Sequence, residues 1–154
     1  MTPDEIKALT YEKVKAAERL IAALEWPFAA YVMGYALELA LKAAACKTLK
    51  LDTYPPVKQD ANRVADGFKS HEIEQLLILS GLRSLFQFGA QSQTPEIYDN
   101  WSLFTTLYGG NWVEMRYKPE SNNQFDEATV RRLYGNLYDN EWSIIKTIRK
   151  KRKW

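Results

Sequence analysis

Apolar residues recur at helical spacing from the start of the chain. Thr2, Pro3 and Glu5 form the pattern of a capped helix start, because Thr accepts a backbone N–H and Glu three residues later reaches back. The apolar positions that follow are Ile6, Leu9, Val14, Ala17, Leu20, Ile21 and Leu24. Trp26-Pro27 predicts the end of this first helix, because a residue before proline avoids helical geometry.

A second helix is predicted from about residue 27 to residue 49. The segment is rich in Ala and Leu, which favour helix. Its polar side chains before the last turn are Tyr31, Tyr35, Glu38 and Lys42. These four, hereafter the polar stripe, are spaced by four, three and four residues and therefore share one face. We interpret the segment as the central helix of a bundle.

The rest of the chain also reads as helices and loops. Residues 51–69 are a proline-containing connector with room for a short helix near 60–66, and residues 111–125 are loop-like. Caps at Ser70, Thr94 and Asp126 predict helices over 71–82, from 95 and from 127 to the basic end, with a short helix within 83–92. No useful β-alternation appears. The pattern predicts an all-α, up-and-down bundle of about five to six helices in a single domain, 1–154.

Composition narrows the class of protein. Of 154 residues, 46% are hydrophobic and 26% are charged, which is ordinary for a globular protein. No secretory signal and no uninterrupted apolar run of membrane-spanning length appear, so we expect no membrane segment and a cytoplasmic location. Cys46 is the only cysteine and His71 the only histidine, so we expect no disulfide, no metal site and no cofactor.

Charge is concentrated at the end of the chain. The segment KTIRKKRKW (146–154) holds six basic residues and no acid, and without it 15 basic residues face 19 acidic ones. Two interpretations stand. The cations complement the helix dipole in solvent, or they contact a nucleic-acid backbone with Trp154 stacking beside them. The candidate backbone contacts are Arg149, Lys150, Lys151, Arg152 and Lys153.

Glu38 and Lys42 are the charged members of an otherwise apolar helix. As a solvated pair four residues apart, they would stabilise the helix by only about 0.2–0.5 kcal/mol. If the helix is covered on most sides, the pair needs further partners or a wet cleft. The sequence offers His71, Arg116 and Tyr117 as such partners.

His71 and the segment NWVEMRYKP (111–119) each have two interpretations. His71 titrates near neutrality, so it is either a general base or nucleotide contact, or a helix-start residue with a local hydrogen bond. Arg116 either grips a phosphate or forms a structural ion pair with Glu38. Trp112 and Tyr117 either stack on a base or belong to the core.

Three segments together resemble a HEPN domain (higher eukaryotes and prokaryotes nucleotide-binding). They are AAYVMGYALELALKAAA, KSHEIEQLLILSGL and NWVEMRYKP, in that order, and the resemblance covers about residues 10–150. It implies an up-and-down helical bundle that is commonly a homodimer. Many members are metal-independent RNases of toxin–antitoxin and phage-defence systems, and others pair with a cognate nucleotidyltransferase. The resemblance maps site roles onto Glu38, Lys42, His71, Arg116 and Tyr117.

The chain departs from the family's cleavage motif, in which four to six residues separate an Arg from the His that follows it. Arg116 is followed by YKPESNNQF, which contains no His, and Arg63 precedes His71 by a longer interval. Three functions therefore remain. The first is binding of RNA or a nucleotide, with a nucleotidyltransferase or antitoxin as the partner protein. The second is a non-catalytic dimeric interaction module that uses the polar stripe. The third is a ribonuclease with a rearranged site, with His71 and Arg116 as catalytic candidates.

Overall fold

The computed structural model describes residues 1–56, 69–88, 94–108, 112–117 and 124–154, with the side chains of residues 114, 116 and 117 left out. Seven α-helices are labelled here in chain order. They are α1 (Pro3–Ala22), α2 (Trp26–Leu49), α3 (Ile73–Leu79), α4 (Arg83–Gln87), α5 (Pro95–Tyr108), α6 (Glu127–Tyr134) and α7 (Ile144–Arg152). A 3₁₀ helix (Trp112–Tyr117) precedes α6, and a π-helical turn (Gly135–Asp139) follows it. No strand occurs among these residues, which confirms the all-α prediction.

The start of α1 has the predicted capping box. The Thr2 hydroxyl accepts the Glu5 N–H at 3.3 Å, and the Glu5 carboxylate accepts the Thr2 N–H at 2.8 Å. Helix α1 buries Ile6, Val14, Ala17 and Ile21 along α2. The predicted stripe holds from Ile6 to Ile21, but its last member, Leu24, lies beyond the end of α1 and is 64% exposed.

Helix α2 is the centre of the molecule. Helices α1, α3, α6, α7 and the 3₁₀ helix all contact it. By length and composition alone it would be able to cross a membrane, but 72% of its most apolar window is buried inside the fold. Core helices pass the same test, so the expectation of no membrane segment, which rested on the absence of an uninterrupted apolar run, stays a prediction.

Two of these local predictions were wrong, and a third falls on residues that the structure does not describe. Helix α3 begins at Ile73 with Glu72 as N-cap, because Ser70 instead accepts the Glu72 N–H at 3.0 Å in a turn before the helix. Residues 112–117 form a 3₁₀ helix rather than a loop, because Trp112, Val113 and Met115 pack against the core. The predicted connector helix near 60–66 lies outside the described residues.

The predicted last helix is two helices. Asp126 caps α6 as expected, its carboxylate accepting the Thr129 N–H at 2.8 Å. The α-helix then changes at Gly135 to the π-helical turn, and the backbone becomes extended at Asn140. Gly and Asn are weak helix formers, and Ser143 starts α7 as a new N-cap. The buried stripe nevertheless continues through Val130, Leu133, Leu137, Ile145 and Ile148.

Candidate functional site

Glu38 is a buried carboxylate in the middle of α2. Its residue is 1% exposed, in a helix whose other buried positions are apolar or Gly. Lys42 Nζ donates to Glu38 Oε1 at 2.5 Å, and the Lys42 side chain is 13% exposed. A buried carboxylate is stable only with partners that satisfy it, so the pair is an internal ion pair rather than a solvated surface pair.

His71 is the second partner of Glu38. Its ring Nδ1 lies 3.0 Å from Glu38 Oε2 and 3.1 Å from Oε1. The His71 side chain is 57% exposed, whereas that of Glu38 is 2% exposed. The imidazole ring therefore lies at the surface, and its Nδ1 contacts the buried Glu38 carboxylate. Since an ionised carboxylate only accepts hydrogen bonds, the contact places a proton on Nδ1 and leaves Nε2 as the other functional nitrogen.

Trp112 fixes the backbone that carries His71. Its indole Nε1 donates to the His71 carbonyl at 3.1 Å, and the residue is 3% exposed. The same indole packs on Tyr31 and Tyr35, with ring centroids 5.4 and 6.2 Å apart. Trp112 therefore belongs to the core, which corrects the interpretation of this residue as a base-stacking platform.

The polar stripe of α2 is partly covered by the chain's own aromatic residues. Tyr31 and Tyr35 are half-buried beneath Trp112, and Lys13 Nζ lies 5.3 Å from the centroid of the Tyr35 ring. Burial, and then the nearby charge of Glu38, raise the pKa of Tyr35 above its ordinary value. The stripe thus offers a partner less open surface than its sequence pattern indicated.

The structure brings Glu38, Lys42 and His71 together and leaves the other two candidates partly defined. Arg116 and Tyr117 lie in the 3₁₀ helix that begins at Trp112, and their side chains are outside the described part of the chain. At about 2 Å per residue, the Arg116 backbone lies about 8 Å along the axis from Trp112. The ion pair of Arg116 with Glu38 depends on a side chain outside the described part of the chain, so it stays a prediction.

The basic end of α7 divides into bound and exposed cations. Arg152 donates from Nε and Nη2 to the Ser80 carbonyl at 3.0 and 2.6 Å, so its guanidinium has a structural role that the sequence did not indicate. The Arg149 guanidinium lies 5.8 Å from the centroid of the Tyr11 ring. Lys151 and Lys153 are exposed. A shallow cavity of about 300 Å³ is lined by Lys146, Arg149, Lys150, Lys153 and Trp154.

Two contacts of the site were missed from sequence: the hydrogen bond from Trp112 to the His71 carbonyl and the contact of Lys42 with the Tyr54 ring. Lys42 Nζ lies 5.4 Å from the centroid of the Tyr54 ring, and burial raises the Tyr54 pKa far above its ordinary value. No local signal marks Tyr54, because it lies in the proline-containing connector and reaches Lys42 only in the folded chain. Among the described residues, no cluster of three or more His, Cys, Asp or Glu side chains has a metal-binding arrangement.

No protein-family model, curated protein or solved structure matches this chain. Membership of the HEPN family therefore stays an expectation from the sequence.

Proposed function

We propose that this protein is a HEPN-like helical protein that binds RNA or a nucleotide at the site formed by Glu38, Lys42, His71 and the 3₁₀ helix 112–117. The observation that carries the proposal is the half-exposed His71 ring held at Nδ1 by a buried, lysine-paired carboxylate. The proposal includes a homodimer, a cytoplasmic location and a toxin–antitoxin or phage-defence setting, with a nucleotidyltransferase or antitoxin as the partner protein. These follow from the family resemblance.

The cost of the buried charges supports a functional role. Removing two charged groups from water is expensive, and an apolar pair of similar volume would often serve a core equally well. Here the carboxylate instead orients an exposed imidazole, which suits contact with a phosphate oxygen or a ribose hydroxyl. Lys42 neutralises Glu38 and contacts Tyr54, so its part in ligand binding is indirect.

The site has two neighbouring sources of cationic contact. Arg116 follows Trp112 in the same short helix, and its planar guanidinium is suited to a phosphate. The exposed cations of the α7 end add non-specific, salt-dependent attraction for a nucleic-acid backbone. Within this proposal His71 and Arg116 contact the ligand, and Lys151 and Lys153 contribute to its capture.

His71→Ala and Arg116→Ala are each expected to weaken binding of a short single-stranded RNA by about tenfold, since each removes one charge-assisted or polar contact to the ligand. Fluorescence anisotropy with labelled RNA at about 50 and 200 mM salt measures the affinity and its salt slope. Glu72→Ala and Lys47→Ala are matched controls, because both side chains are exposed and lie outside the cluster. Unchanged affinity in both site variants would remove this site from RNA binding.

The contact between His71 and Glu38 favours metal-independent RNA cleavage as a second candidate function. With Nδ1 protonated, Nε2 can take the proton of a ribose 2′-hydroxyl. The 2′-oxygen then attacks the adjacent phosphorus, and the bond from phosphorus to the 5′-oxygen breaks as that oxygen takes a proton from water. The products are a 2′,3′-cyclic phosphate and a 5′-hydroxyl end. Arg116 would stabilise the charge that develops on the phosphate.

Under this second candidate, wild-type protein in excess chelator is expected to cleave RNA to ends of that chemistry. His71→Ala is expected to lose at least about 100-fold in rate, the lower range for loss of a general base. Gel electrophoresis with mapping of the product ends measures both. Intact RNA after prolonged incubation with folded wild-type protein would exclude cleavage and leave the binding proposal standing.

A further inference from the structure

A second cavity lies between α4, the first turn of α5 and α7. It encloses about 360 Å³, at the lower end of the range of about 300–1,000 Å³ that is typical of small-molecule sites. Its apolar lining comes from Leu85, Ile97 and Trp142. Its polar lining comes from Thr94, Thr147, Lys150 and Lys151. The cavity therefore joins an apolar wall to a polar, positively charged one.

The charged wall favours an anion. Lys150 and Lys151 both line it, and no acidic side chain does so within the described part of the chain. Lys150 Nζ lies 5.2 Å from the centroid of the Trp142 ring, which holds the ammonium at the border of the apolar wall. Thr94 directly precedes α5 and Ile97 lies in its first turn, so the positive dipole end of this 14-residue helix adds to the two lysine charges. Glu96 of the same turn is exposed and does not line the cavity.

Thr147 contributes to the polar side of the cavity, but its hydroxyl oxygen is buried. The residue lines the cavity yet is only 5% exposed, and its hydroxyl has no hydrogen-bond partner among the described residues. Most buried hydroxyls are paired, often with the carbonyl four residues earlier in the helix. An unpaired hydroxyl costs the free protein stability. Because the Thr147 oxygen is itself buried, the polar contacts to a ligand come from the two lysines and not from Thr147.

We propose that this cavity binds a small phosphate monoester that carries one aromatic ring. The ring packs against Leu85, Ile97 and Trp142, and the phosphate faces Lys150, Lys151 and the start of α5. Two lysine charges and a helix start suit a dianionic phosphate better than a carboxylate. The site is separate from the cluster of Glu38, Lys42 and His71, so it adds to the proposed function and does not depend on it.

Naphthyl phosphate is the first probe, with naphthol and inorganic phosphate as its two halves and naphthoate as the carboxylate analogue. Isothermal titration calorimetry with the full chain is expected to show saturable binding of naphthyl phosphate at least about tenfold tighter than of either half or of naphthoate. Equal binding of naphthoate would overturn the choice of phosphate, and no binding of any probe would overturn the site. Adenosine monophosphate, compared with adenosine, then tests whether a nucleotide is a member of this ligand class.

Two kinds of variant locate the binding. Lys150→Gln and Lys151→Gln are each expected to weaken binding by about tenfold, whereas Lys153→Gln, which lines only the neighbouring cavity, leaves it unchanged. Thr147→Val is expected to raise the unfolding temperature and to leave binding unchanged, because it removes a buried, unpaired hydroxyl that the ligand does not contact. Weakened binding in this variant would overturn this placement of the ligand.

His71→Ala separates this proposal from the RNA site. Binding of naphthyl phosphate by His71→Ala is expected to equal that by wild type, because His71 does not line this cavity. Loss of naphthyl phosphate binding in His71→Ala would assign the probe to the first site and overturn the second. If the wild-type protein binds naphthyl phosphate but not RNA, only the proposed function is overturned.

Discussion

Replacement of Glu38 by alanine is expected to lower the free energy of unfolding by about 3–5 kcal/mol. The variant leaves Lys42, with a side chain only 13% exposed, as an internal cation without its carboxylate. It also removes the group that holds His71 Nδ1. Urea unfolding followed by circular dichroism measures the loss, and salt is expected to change it little because the pair is shielded from solvent.

The double variant Glu38→Met, Lys42→Met is the matched control. An apolar pair of similar volume is expected to recover most of the stability lost in Glu38→Ala, because neither charge is then left unpaired. The same variant is expected to lose RNA binding, since His71 is no longer held. A loss below about 1 kcal/mol in Glu38→Ala would mean that the pair behaves as a solvated surface ion pair.

Gly34→Ala is expected to lower the free energy of unfolding by about 1–3 kcal/mol, although alanine is the better helix former by about 1 kcal/mol. A Cβ at this position would lie 2.8 Å from Trp112 Cε3 and 3.0 Å from Tyr108 Cε1. Neither ring moves easily. Trp112 is fixed by Tyr31 and the His71 carbonyl, and the Tyr108 hydroxyl donates to the Ala30 carbonyl.

Gly135→Ala makes the same chemical change in another helical turn. Its Cβ would meet the side chain of Asn140 at 3.2 Å, and the exposed Asn140 can move away at the cost of one long hydrogen bond, 3.4 Å from its Nδ2 to Asn136 Oδ1. Stability is expected to stay level or rise by up to about 1 kcal/mol. Comparing the denaturation midpoints of Gly34→Ala and Gly135→Ala separates the effect of packing from that of helix propensity. Equal changes in the two variants would show that the Trp112 ring moves aside without a loss of stability.

The sequence predicted the helices that depend on local signals. The capping box at Thr2, the proline at the start of α2 and the Asp126 cap each act within a few residues, and each was confirmed. It failed where distant packing decides the outcome. The 3₁₀ helix 112–117 forms because its apolar residues reach the core, which no pattern within the segment indicates.

The candidate site was also predictable only in part, because some of its contacts depend on residues that are distant in sequence. Glu38 and Lys42 stood out as charges in an apolar helix, and the demand for further partners pointed to the only histidine. The contact between Glu38 and His71 spans 33 residues, and sequence chemistry suggested it without any geometric constraint. The fastening of His71 by Trp112 and the contact of Lys42 with Tyr54 depend on tertiary structure and had no such clue.

The Arg152 guanidinium gives the basic end of the chain a structural role in the fold. The Ser80 carbonyl accepts from Arg152 and, at 2.7 Å, from the Thr48 hydroxyl, so three helix ends are tied at one oxygen. Deletion or neutralisation of all of residues 149–153 would therefore remove these hydrogen bonds together with any contact to a nucleic-acid backbone. Variants that test the charge of residues 149–153 should therefore keep Arg152. A loss of function can then be assigned to the lost charge and not to a destabilised fold.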